Sequence, residues 1–214
     1  MPEAFVLFGD VIRSRRNAPS ATAWLRTLSA DLTKAYAADE RLARFEFTQG
    51  DELQGLLVPT ADPLAAVIRA ALHPGRIEMR WVAVRGDVDT GRGPATQRSG
   101  PAFIAARERL VTAAARRERL AVVTGDPATD ELLDGLTPLL AELLSELTVR
   151  QREIGWLLLV EGVRRADAAE RLHVSRATVS VAADRAHLRW LGDAIAVLRT
   201  LIQRAARHPA TMPS

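Results

Sequence analysis

Five consecutive apolar residues open the chain in EAFVLFGDV and run into Gly9 and Asp10, the pattern of a strand covered on both faces that ends at a polar edge. In SATAWLRTLSADLTKAYAADERL, Trp24, Leu28, Leu32 and Tyr36 recur every four residues, which predicts a helix with one apolar face and Ser20 as its N-cap. RFEFTQ and QGLLVP read as short strands around Gly50, Asp51 and Glu52, hence a hairpin. DPLAAVIRAALHPG is a compact helix that starts at Asp62-Pro63 and stops at Pro74-Gly75. RIEMRWVAVRGDVD alternates through Ile77, Met79, Trp81 and Ala83 with the period of a strand. A Gly/Pro/Ser loop, TGRGPATQRSGP, leads to a helix, AFIAARERLVTAAARRER, and a last strand, LAVVTGD.

The order β-α-β-β-α-β-α-β predicts an α+β sheet domain over residues 1–127. From Thr129 to about Arg207 only helical periodicity remains. A helical connector is expected over 128–147 and an all-α domain over 148–214.

Within that last part, LTVRQREIGWLLLVEGVRRADAAERLHVSRATVSVAADRAHLRWL has the pattern of a helix-turn-helix. One helix runs from Thr148, with Glu153 in its early turns, to near Gly162. A short helix, ADAAERL, puts Ala168 and Ala169 where two helices cross closely. His173 to Ser175 form the turn, and Ser175 is the N-cap of a helix with Val179 and Ala182 facing inwards. Arg176, Ala177, Thr178, Ser180 and Arg185 then face outwards. On double-stranded DNA, Arg176, Thr178 and Ser180 would read base edges, Ser175 would bond a phosphate, and Arg164, Arg165 and Arg185 would anchor the backbone. A plain helical bundle, or a helix-turn-helix used for protein contact, would show the same periodicity. The segment resembles the helix-turn-helix of LuxR-type regulators and of sigma-factor region 4, with His173 where those families carry glycine. The final helix lines up Leu191, Ala194, Ile195, Leu198, Leu201, Ile202 and Ala205, a stripe that closes the bundle or pairs with its twin in a homodimer.

The charge distribution supports a polyanion partner for this part. Residues 148–214 carry 11 Arg against 6 acids, whereas residues 1–147 carry 18 Lys and Arg against 20 acids. The 214 residues are 48% hydrophobic and 26% charged, ordinary globular composition. With no cysteine, disulfides and thiolate chemistry are excluded, and four scattered histidines make a zinc site an unpromising reading. EAFVLFGDVI lacks a basic lead-in and meets an aspartate early, and no apolar run approaches the ~20 residues of a membrane span, so a cytoplasmic protein without a membrane partner is expected.

Candidate chemistry lies in the first half. Two carboxylates, Asp10 at a strand end and Asp51 in a hairpin, would converge if their strands are neighbours, and hard divalent cations take such oxygen ligands. An ion pair of Asp10 with Arg13 or Arg107 would serve equally to compensate a buried carboxylate. Arg13, Arg15 and Arg16 read as a phosphate clamp or a basic surface loop, Asp87 and Asp89 as turn residues, and Trp81, Trp156 and Trp190 as core or interface.

LFGDVIRS, TQGDELQGLL, MRWVAVRGDVDTG and RSGPAFIAARERL resemble, in order, segments of class III nucleotide cyclases and diguanylate cyclases. That resemblance implies a ferredoxin-like, nucleotide-cyclase-like sheet domain. It implies Mg²⁺ or Mn²⁺ held by Asp10 and Asp51, and a nucleotide ligand near Gly9, Gly50 and Arg107. Phe47 and Phe103 replace the lysine and asparagine of those enzymes, so cyclase turnover is not expected. Taken together, FGDVIRSR, GDELQGLL, GPAFIAAR and RQREI resemble the SatD family across residues 4–200. The resulting expectation is a DNA-binding transcriptional regulator whose degenerate cyclase-like domain senses a ligand or mediates dimerisation. The other reading is a metal-dependent nucleotide-binding or nucleotidyl-transfer enzyme with a helical interaction tail.

Overall fold

The computed structural model describes residues 1–12, 18–47 and 51–207. Gly50, Arg13, Arg15 and Arg16 therefore lie outside the described residues. Five strands form one mixed sheet, in the order β2-β3-β1-β4-β5. They are β1 (Glu3–Val11), β2 (Arg41–Phe47), β3 (Glu52–Leu57), β4 (Met79–Asp87) and β5 (Leu120–Val123). The first four are antiparallel, and β5 adds parallel to β4 through the crossover helix α3 (Pro101–Ala115). The element order β-α-β-β-α-β-α-β is the one expected from the hydrophobic pattern.

Alternation along the strands divides the apolar residues between two faces. Phe5, Leu7, Leu53, Leu57, Trp81, Leu120 and Val122 lie under α1 (Ala18–Ala35), α2 (Pro63–Leu72) and α4 (Pro127–Ser145). Val6, Phe8, Leu56, Val82, Val84 and Ala121 lie under α3. Helix α1 buries Trp24, Leu28 and Leu32, with Tyr36 just beyond its end, as the four-residue spacing predicts. It begins at Ala18, so Ser20 lies inside the helix and is not its N-cap. Asp62 does cap α2, accepting from the Leu64 amide at 2.9 Å, with Pro63 in the first turn where no amide donor is missed.

Helix α4, expected as a connector, lies on the sheet. Thr137 donates to the Leu120 carbonyl of β5 at 3.3 Å, and Leu133 is fully buried. Arg76 donates to the carbonyls of Leu144 and Ser145 at 3.0 and 2.6 Å, satisfying the C-terminal end of α4. The same apolar cluster continues through Leu147, Ile154 and Leu157 into the remaining helices: α5 (Val149–Gly155), α6 (Arg165–Arg171), α7 (Arg176–Arg185) and α8 (Leu188–Arg207). Trp156 and Trp24 both contact His73 edge-on, at 5.7 and 4.8 Å between ring centres, and their cover pushes the His73 pKa below its ordinary value. Helix α8 buries Leu191, Ile195, Leu198, Ile202 and Ala205 against its own chain, while Ala194, expected on that stripe, is exposed. Among the described residues no helix is long and apolar enough to cross a membrane.

Candidate nucleic-acid interface and a carboxylate–arginine cluster

Thr148 opens α5 with a reciprocal capping box: its hydroxyl accepts from the Gln151 amide, and the Gln151 side chain accepts from the Thr148 amide. Beyond Gly155 the helix continues as a π turn, Trp156–Val160, and reverses at Gly162, whose φ of 69° suits glycine. The short α6 packs through Ala168 and Ala169, both buried, so that α7 crosses it closely. Between them His173 takes φ 52°. The left-handed conformation is thus kept without a glycine. Ser175 then caps α7, its Oγ accepting from the Thr178 amide at 3.0 Å.

Val179 and Ala183 face the core, so the inward positions are Val179 and Ala183, with Ala182 half-buried. Arg176, Ala177, Thr178, Val181 and Arg185 are exposed, and Ser180 is half-buried beside them. Arg164 is exposed at the N-cap of α6. Arg165 is exposed too but engaged, its Nη2 lying 3.1 Å from Asp184. A shallow depression alongside α7 is lined by Thr148, Arg150, Gln151, Thr178, Val181 and Arg185. Arg150, not singled out from the sequence, lines this depression with its Nη1 3.0 Å from Glu153. A cation in the first turn of a helix opposes the helix dipole, and that misplacement was the available signal.

The second site lies on the α3 face of the sheet. Register places Glu52, Asp10 and Arg80 in one row across β3, β1 and β4. Arg80 Nη1 stands 3.3 Å from Asp10 Oδ2, and Glu52 is held by Arg107 of α3 and by Gln54 Nε2 at 2.7 Å. The Arg107 guanidinium also lies 4.7 Å above the centre of the Phe8 ring. Burial, with the nearby Asp51 and Glu52 carboxylates and against the pull of Arg80, pushes the Asp10 pKa up to about 6. Beside this row lies an open cleft of about 780 Å³, lined by Phe8, Gln54, Thr96, Ser99, Phe103 and Arg107 among others.

Asp10 and Asp51 are thus near enough to interact electrostatically. The arginine partners of the row, however, are Arg80 for Asp10 and Arg107 for Glu52, the residue next to the expected Asp51. Among the described residues no three His, Asp or Glu side chains converge as a metal's ligand set. The cluster is a pair of ion pairs, Asp10 with Arg80 and Glu52 with Arg107. Gly9 points its missing side chain to the other face, where a Cβ would meet the Trp81 ring at 2.9 Å. Phe103 is buried against Phe8 with ring centres 6.1 Å apart, which gives that position a packing role. Asp89 accepts from the Ser99 hydroxyl at 2.6 Å, as a turn residue does. Compared with protein-family models and with curated proteins, the chain matches none.

Proposed function

We propose that the chain is a DNA-binding transcriptional regulator that inserts α7 into the major groove of double-stranded DNA. The observation that carries this reading is the α6–turn–α7 unit, whose second helix is capped by Ser175 and presents Arg176, Thr178 and Arg185 to solvent. Arg176 and Thr178, near the helix start, would reach base edges. Arg164, Arg185 and Arg150 would take phosphates on either side. The arginine-rich composition of residues 148–214 supports the same reading, and the likeness of RQREI and the upstream segments to the SatD family suits the architecture of a sheet domain followed by a helix-turn-helix. For the sheet domain, the antiparallel order β2-β3-β1-β4 with α1 and α2 on one face suits a ferredoxin-like, cyclase-like plan. Its role would be sensing or assembly.

The test is a gel shift on sheared genomic DNA, followed by sequencing of the bound fraction. Each lost contact removes ~1–3 kcal/mol, so Arg176→Ala/Arg185→Ala should weaken binding at least about tenfold. The wild-type affinity should also fall steeply with salt as counterions are released. Unchanged affinity in the double variant would reject the reading.

One observation favours a second reading, metal-dependent nucleotide binding or nucleotidyl transfer. Asp51 and Glu52 act electrostatically on Asp10, and half-exposed Arg107, which lines the neighbouring open cleft, would be free for a phosphate once released from Glu52. Mg²⁺ or Mn²⁺ with a nucleoside triphosphate should then raise the melting temperature, and Asp10→Asn should abolish the rise. A flat response across nucleotides counts against it.

A further inference from the structure

Helix α4 has two leucine stripes. One, with Leu133, Leu140 and Leu144, is buried on the chain's own core. The other, Leu132, Leu136, Leu139 and Leu143, recurs at intervals of four, three and four and is 40–57% exposed. Helix α8 repeats the arrangement: beside its buried stripe, Trp190 is 64% and Val197 57% exposed, with exposed Ala194 between them. The two exposed stripes meet, because Leu143, Trp190 and Ala194 line one depression. Their six large side chains leave on the order of 600 Å² of apolar surface open, at the top of the range for a monomer's largest patch.

We infer that this α4/α8 face pairs with the same face of a second copy of the chain, α4 of each lying on α8 of the other. Two observations choose that occupant. Burying the patch on both copies removes ~1,200 Å², where stable specific interfaces begin. The charges of the two helices are also complementary. Helix α4 has no Lys or Arg and presents the exposed acid Glu131, its Asp134 and Glu142 being held by Arg109 and Arg119, whereas α8 presents exposed Arg189 against the single acid Asp193, its Arg199 being held by Asp62. Pairing α4 with α4 would set acid on acid. The crossed pairing sets acid on base around an apolar centre, and a two-fold axis supplies it twice. The inference stands on the face itself. Only its consequence, two α7 helices presented to one duplex, rests on the DNA-binding reading.

The test is the solution mass of the full chain without DNA, by sedimentation or light scattering, at about 100 µM, where mass action favours pairing. Wild type is expected at twice the 23.3 kDa chain mass. Leu139→Glu/Val197→Glu should run as a monomer with an unchanged far-UV spectrum and melting temperature measured at dilution. Val111→Glu, on the exposed apolar surface of α3, should remain a dimer. A monomeric wild type overturns the inference and assigns the face to a different partner. A dimer that survives the double change, or that Val111→Glu dissolves, overturns the assignment of the face. Because no DNA is present, none of these outcomes bears on whether α7 binds it.

Discussion

Arg199, in the last helix, donates through Nε to the Asp62 carboxylate at 2.6 Å, across 137 residues of sequence. Asp62 is also the N-cap of α2, and its carbonyl accepts from the Tyr36 hydroxyl at 2.7 Å. One residue therefore joins the end of α1, α2 and α8, and ties the C-terminal helices to the sheet domain. The pair is partly exposed, so its coupling is expected to be only about 0.5–1 kcal/mol. Removing the cap as well should cost more, about 1–2 kcal/mol for Asp62→Ala. Urea unfolding of Asp62→Ala, Arg199→Met and the double variant measures both. Strictly additive single effects would deny the coupling.

The glycine of QGLL has a packing explanation. A Cβ on Gly55 would lie 2.2 Å from the Phe45 ring, which itself stacks on Tyr36 at 5.6 Å. Gly55→Ala should therefore cost about 1–3 kcal/mol through overpacking. Phe45→Leu in the same chain should recover part of that loss. Equal costs of Gly55→Ala with and without Phe45 would show that the ring is not the obstacle.

Much of this was legible in the chain. The period-four spacing of Trp24, Leu28 and Leu32 and the Asp62-Pro63 start placed α1 and α2, and Ser175 was readable as a cap because only a few side chains can satisfy a helix's first amides. What was not legible depends on neighbours distant in sequence. The Asp10–Arg80 pair exists because β1 and β4 align in register, and Glu52 meets Arg107 because α3 crosses above β3. In ELLDGLTPLLAELLSEL, two leucine stripes overlap at nearly equal strength. Periodicity finds the helix but cannot say which stripe faces inwards.

His173 holds φ 52° at the turn before α7, a conformation that costs a branched or bulky residue and favours glycine. His173→Gly should raise stability by about 0.5–1 kcal/mol, and His173→Val should lower it by about 1–2 kcal/mol. Thermal unfolding of the two variants checks the sign of each. A destabilising glycine would mean that the exposed imidazole makes a contact worth more than the backbone relief.

Asp10 carries the pH dependence of the carboxylate cluster. Its folded pKa, about 6, lies above its ordinary value of 3.8, so between those values the folded state binds more protons than the unfolded one. Stability from this group is therefore full below about pH 4 and is lost as pH rises through about 6. The direction follows from burial and from Asp51, which together outweigh Arg80. Asp10→Asn, which mimics the protonated carboxyl, should raise the melting temperature at pH 8 and change it little at pH 4. Melting curves of both proteins from pH 4 to 8 decide it. A variant that is less stable at pH 8 would mean that the ion pair with Arg80 dominates. In that case Asp10 would be charged in the native state well below neutrality.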